Sequence, residues 1–241
     1  MTRGICIRSW SAPLLIALAA FTALTGADAR AQSFCSSDGQ TQPARLLERF
    51  ISADCSSCWA DATERAGPNE LALDWIVRGN RGDEAPLSAA ASSDALIRLE
   101  ALKRVAPTEV ETARHWVQAP KRGLRVSHGL PVNGYLGTSI ELKSPQPGPW
   151  TAWLLLVETI AAGTEGTPIE RNLVRNALQL AWGASAPLTR SELSRLYEAR
   201  PMSIPDGAQP GRLRVVGWVE DGRGRMRAIA QSRCAAPAAG G

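Results

Sequence analysis

Histidine is nearly absent from this chain of 241 residues, which has only His115 and His128. That scarcity excludes metal centres built on several imidazoles. Neither histidine stands in an H-E-x-x-H run and no G-x-S-x-G elbow occurs, so hydrolase chemistry has no motif behind it. Phe and Tyr are also few, three and two against eight Trp, which puts the aromatic weight of a core on tryptophan. No apolar run reaches the roughly 20 residues of a comfortable membrane-crossing helix. A large excess of one charge is lacking too. Lys and Arg number 27 against 23 Asp and Glu, a net +4, which gives a nucleic-acid partner no support.

The N-terminus reads as a secretory signal peptide over residues 1–31. Arg3 and Arg8 form a basic region, Ala12 to Phe21 an apolar core, and Ala27-Asp28-Ala29 and Ala29-Arg30-Ala31 two small-x-small cleavage sites. Removal of Arg3, Arg8 and Arg30 together with Asp28 takes the net charge from +4 to +2. The expected compartment is periplasmic or extracellular, with no membrane embedding after cleavage. Of five cysteines, Cys6 leaves with this segment. Cys35, Cys55, Cys58 and Cys234 remain, an even set that an oxidising compartment allows to pair.

Cys55-Ser56-Ser57-Cys58 follows the mostly apolar run Leu46 to Ile51. A strand over 43–51 running through Ser52-Ala53-Asp54 into a two-turn helix is expected, ended by Gly67-Pro68-Asn69. The spacing puts both thiols on one helix face. A helix N-terminus favours thiolate over thiol, so Cys55 is the candidate attacking sulfur and Cys58 the resolving one. An inert disulfide is the competing reading. A metal site is the weakest, because an all-cysteine zinc site needs a second close pair and Cys35 and Cys234 are far apart in sequence.

Leu71 to Val77 reads as a second strand. A helix capped by Ser92 or Ser93 and running to Leu102 or Lys103 follows, with Ala95, Leu96, Leu99 and Leu102 on one face. This alternation predicts parallel pairing. Residues 108–117 fit a helix and an antiparallel hairpin about equally. Beyond Pro120 strands dominate: Leu124–Val126, Ser139–Leu142, Ala152–Val157, and a hairpin of Leu213–Val219 with Met226–Ala230 turning at Asp221-Gly222. Thr189 is expected to cap a short helix over 191–197. Lys121, Arg122, Arg125, Arg223, Arg225 and Arg227 read as a solvated face, and Trp150, Trp153, Trp182 and Trp218 as core. The tail over 235–241 is expected to be disordered.

Leu47-Glu48-Arg49-Phe50 through Cys58 and Ala60-Asp61 resembles a family of exported thioredoxin-like proteins of unknown function, whose members read L-E-L-F-T-S-Q-G-C-S-S-C-P-P-A-D. Ala106-Pro107 to Trp116 looks like that family's T-P-x-V-F-V-x-G-R-E-W segment, and Gly163 to Arg175 like its G-x-x-E-N and N-V-V-R runs. Trp59 stands in place of the family's Pro, and Trp75-Ile76-Val77-Arg78 lacks the His and Asp of its H-V-D-Y-W-D stretch.

The resemblance implies an α+β protein: a compact thioredoxin-like α/β unit over 42–118, then a β-rich, sandwich-like domain over 119–234. It implies a cis Pro107 facing Cys55 and Cys58 and leaving extended backbone free to pair with a substrate peptide; a trans-Pro at a helix start is the alternative. Cys35 and Cys234 are expected to form a structural bridge, with electron relay to Cys55 as the other possibility. The function expected is thiol–disulfide exchange with protein thiols and disulfides of the export compartment, without cofactor or metal. The competing class is a non-catalytic interaction protein stapled by its disulfides.

Overall fold

Strand-forming sequence outweighs helix-forming sequence once whole segments are considered. A computed structural model describes Met1 and residues 35–120, 122–183 and 186–234. The expected signal peptide, the tail and Lys121 lie outside the described residues. Twelve strands and three short α-helices are present among them. In chain order they are β1 (Cys35–Ser36), β2 (Arg45–Ser52), α1 (Ser56–Ala60), β3 (Glu70–Val77), α2 (Ser93–Ala101), β4 (Val110–Trp116), β5 (Leu124–Val132) and β6 (Tyr135–Lys143). They continue as β7 (Trp150–Ile160), β8 (Arg171–Trp182), α3 (Arg190–Ser194), β9 (Arg195–Ser203), β10 (Leu213–Asp221), β11 (Met226–Gln231) and β12 (Arg233–Cys234). One sheet has seven strands in the order β11-β10-β7-β8-β3-β2-β4, the other five in the order β12-β1-β5-β6-β9.

This corrects the expected architecture. Among the described residues there is no thioredoxin-like α/β unit; they form a β-rich domain of two sheets. β2 and β3 do run parallel, in register from Arg45–Glu70 to Ser52–Val77. However, they extend a sheet whose other half, β7, β8, β10 and β11, comes from beyond residue 149. Alternation of strand and helix signals parallel pairing locally but is silent on what completes the sheet. Both faces of β2 and β3 are buried, so the strands demand partners that the segment from Arg45 to Val77 does not supply. The chain passes from the seven-stranded sheet to the five-stranded one between β4 and β5.

Local differences have local causes. Residues 110–116 form neither helix nor hairpin but one edge strand, antiparallel to β2. The helix after Cys55 stops at Ala60 instead of near Ala66, because Arg171 takes its last carbonyls and the Asp61 carboxylate turns the chain by accepting the Thr63 N–H at 3.0 Å. The cap of α2 is as expected: Ser92 Oγ accepts the Asp94 N–H at 3.0 Å. Thr189 caps α3 in a reciprocal box with Glu192, but strand β9 begins at Arg195 and claims residues 195–197. The hairpin of β10 and β11 is present.

β7 separates the two main cores by alternation. Trp150, Ala152, Leu154 and Leu156 pack with Val126, Ile140 and Leu142 of the five-stranded sheet. Trp153, Leu155 and Val157 join Phe50, Trp75 and Trp218 beneath Ala95 and Leu99 of α2. Trp153, Trp218 and Trp150 are therefore core, as their composition suggested, with Trp182 half-buried at its margin. Gly217 of β10 lies tight against the five-stranded sheet. A Cβ there would lie 2.8 Å from Val126 Cγ1, 2.9 Å from Ile140 Cδ1 and 3.0 Å from the Trp153 carbonyl. Gly217→Ala should therefore cost about 1–3 kcal/mol in urea unfolding; an unchanged midpoint would mean that the sheets can part without loss.

Candidate functional site

The CxxC segment sits where β2 ends. The Cys55 N–H donates to the Ser52 carbonyl at 3.0 Å, closing a turn directly after the strand. Asp54 ties this turn to the loop after β3, its carboxylate accepting the N–H of Asn80 at 2.7 Å and of Arg81 at 3.3 Å. Cys55 is the N-cap of α1, and its Sγ accepts the Cys58 N–H at 3.2 Å, with Ser57 Oγ 3.4 Å away. Cys55 and Cys58 are disulfide-bonded, with Cα atoms 5.3 Å apart, and both are half-buried. Cys58 leans on a third apolar cluster of Ile51, Trp59, Ile76, Ile160 and Leu173.

Beneath α1 lies a charged network that motif reading missed. Arg49 of β2 donates from Nε and Nη2 to the two oxygens of buried Asp74, at 2.7 and 2.8 Å, and from Nη1 to the Glu64 carbonyl at 2.5 Å. Arg171 donates from Nη1 to Asp74 Oδ1 at 3.1 Å and from Nη2 to the carbonyls of Trp59 and Asp61 at 2.7 and 2.6 Å. Its guanidinium lies 5.2 Å from the centroid of the Trp59 ring. Burial pushes the Arg171 pKa below the ordinary arginine value; Asp74 opposes this and Arg49 adds to it. A signal was available in the charged residues Glu48, Arg49 and Asp74 inside otherwise apolar strands. A buried charge needs a partner.

Arg49, Arg171, Cys58, Asp61, Glu64 and the β4 residues 110–112 wall a cavity of about 320 Å³ beside the disulfide. β4 is the outer strand of its sheet, so its far backbone edge carries no strand partner among the described residues. Pro107 lies in the loop before β4. No cis peptide bond occurs among the described residues, so Pro107 is trans, against the expectation from the resemblance. Trans is the ordinary state of X-Pro bonds, and here the proline leads into an edge strand without a tight turn.

Cys35 and Cys234 are bonded, as expected, across the paired strands β1 and β12. His128 joins them: its donor atom and the two sulfurs all lie within 4.8 Å of one another. The distance in sequence that argued against a metal is thus erased by folding, but the two sulfurs are bonded to each other and a metal ligand must be a thiolate. His128 is buried, and desolvation lowers its pKa while its contact with the Gly129 carbonyl opposes that. His115 sits elsewhere, with Nε2 2.9 Å from Glu48 Oε2. The basic residues that are described form separate pairings, and Arg225 and Arg227 share one carboxylate. Arg125 pairs with Asp38, Arg225 and Arg227 with Asp221, and Lys121 lies outside the described residues. No helix of the described residues is long and apolar enough to cross a membrane. No family model matches this chain, and no curated protein matches it.

Proposed function

We propose that this protein is an exported thiol–disulfide exchange protein with Cys55 as the attacking sulfur and Cys58 as its resolving partner. The observation that carries the reading is a half-buried Cys55–Cys58 disulfide at the junction of β2 and α1, beside a cavity that two arginines line. The likeness of Leu47 to Asp61 to the exported CSSC family supports it as well.

The exchange balances as follows. A substrate thiolate attacks Cys55 Sγ, the Cys55–Cys58 bond breaks, and Cys58 leaves as a thiolate. The second substrate thiolate then attacks the substrate sulfur of the mixed disulfide and releases Cys55. The substrate dithiol is oxidised to a disulfide and the Cys pair is reduced. In reverse, the Cys55 thiolate attacks a substrate disulfide and Cys58 resolves it. The Cys58 N–H aimed at Cys55 Sγ favours the thiolate in both directions.

The test is trapping. Cys58→Ser should accumulate mixed disulfides with partner proteins, because the resolving thiol is gone, while Cys55→Ser should trap none. In reduced protein, Cys55 should titrate below the free-thiol value of about 8.5. Partner-free behaviour of both variants, with a Cys55 thiol at or above that value, would leave the disulfide as a staple of an interaction protein.

A further inference from the structure

β3 and β8 run parallel but share a single ladder pair, Asp74 with Leu173. Toward their N-terminal ends the two strands part, and the gap is a cleft of about 600 Å³, ample for a small ligand. Side chains replace the missing backbone ladder. Asn172 donates from Nδ2 to the Ala72 carbonyl at 2.9 Å, and its N–H donates to Asp74 Oδ2 at 3.0 Å. Asn172 Oδ1 accepts Arg214 Nη2 at 2.6 Å.

The walls are rich in arginine without carboxylates to match. Arg65, Arg214 and Arg233 line the cleft, and none has a salt bridge among the described residues, whereas twelve other arginines do. Arg49 also reaches it but is held by Asp74. Two carboxylates face the same space. Glu70 is partly engaged: its Oε2 accepts the Gly67 N–H at 2.7 Å, while its Oε1, 3.5 Å from Arg114, is buried without a hydrogen bond. Glu170 is exposed at the rim.

Arg214 is the most telling residue. Its Nε–H is shut off from solvent and has no hydrogen-bond partner, and Gln231 Oε1 on the same wall is equally orphaned. Burial lowers the Arg214 pKa; Glu170 opposes this and Arg233 adds to it. Arg214 Nη2 is held by Asn172 and its Nε is closed off, which leaves Nη1, beside the unpaired Arg233, as the donor that an acceptor in the cleft can meet.

We propose that this fork is a binding site for a small organic anion, whose carboxylate or phosphate oxygens accept from Arg214 and Arg233, with Arg65 closing over the mouth. Arginine suits either group, since its planar fork donates two parallel hydrogen bonds to an oxyanion. The site lies behind the Arg49–Asp74 pair and needs no thiol chemistry, so it stands independently of the exchange reaction.

Isothermal titration with inorganic phosphate and, separately, citrate tests it, with ionic strength balanced by sodium chloride. The intact protein should bind at least one of them saturably, and which one decides between phosphate and carboxylate ligands. Arg214→Gln and Arg233→Gln should each weaken binding by at least about tenfold, and Arg78→Gln, outside the cleft, should not. Arg233 makes no side-chain hydrogen bond among the described residues, so its variant stays informative if Arg214→Gln unfolds. Absence of saturation below about 10 mM for both probes, or equal binding by the Arg233→Gln protein, would overturn the proposal.

Discussion

Arg98→Met should lower the unfolding free energy by about 3–5 kcal/mol, the usual consequence of leaving a buried charge alone. Glu48 is fully buried in β2 and accepts Arg98 Nε at 2.9 Å, Arg98 Nη2 at 2.7 Å and Trp75 Nε1 at 3.1 Å. Arg98 in turn lies 4.8 Å from the ring centroids of both Trp153 and Trp218, which stack 5.8 Å apart. Its Nη1 reaches Glu220 at 3.3 Å. Methionine keeps most of the apolar contact and removes the cation, so the loss reports the charge. The double variant Glu48→Gln with Arg98→Met should recover a good part of the stability, because no uncompensated charge is left.

The same pair sets an acid limit. Burial by itself would raise the Glu48 pKa, but Arg98 and then His115 overcome it and hold the carboxyl down at about 2, against an ordinary 4.5. A depressed folded-state pKa gives stability that is fully present above pH 4.5 and fades as pH falls toward 2. The linkage amounts to roughly 3 kcal/mol. Urea unfolding measured between pH 6 and 2 should therefore show a slope that Glu48→Gln flattens. A variant with the parental slope would place the acid sensitivity elsewhere.

Loss of the Cys35–Cys234 bond should be the second large effect. The bond closes a loop of 199 residues, for which the chain-entropy model gives about 5 kcal/mol of destabilisation of the unfolded ensemble. The Cys55–Cys58 bond spans three residues, and the same model gives about 2 kcal/mol. Paired replacement by alanine, read by urea melts under non-reducing conditions, should show that ordering. Equal losses would mean that local strain or packing outweighs chain entropy in this molecule.

Much of the local structure was legible because its causes are local. Ser92 and Thr189 announce their helices by capping, and Asp221-Gly222 announces a hairpin. Asn133-Gly134 is an equally local signal: with φ of 49° and 77°, it turns β5 into β6 as a two-residue connection. The architecture was not legible, because β8 reaches β3 from about 100 residues away, and no periodicity in either strand encodes that meeting. The Cys pair was visible as a motif. Its setting was not, since Arg171 acts on α1 from outside the segment that carries the thiols.

The lone rung between β3 and β8 has a mechanical consequence. Each half of the long sheet is knitted by extended ladders, while the seam between them has one backbone pair and is otherwise held by the side chains of Asp74, Asn172 and Arg171 and by the shared apolar core. Such a seam behaves as a crease, and sub-global opening should begin along it, letting β4-β2-β3 swing away as a flap. Deuterium uptake would then be faster at the Asn172 amide than at Phe50 and Leu155, deep inside the two leaves.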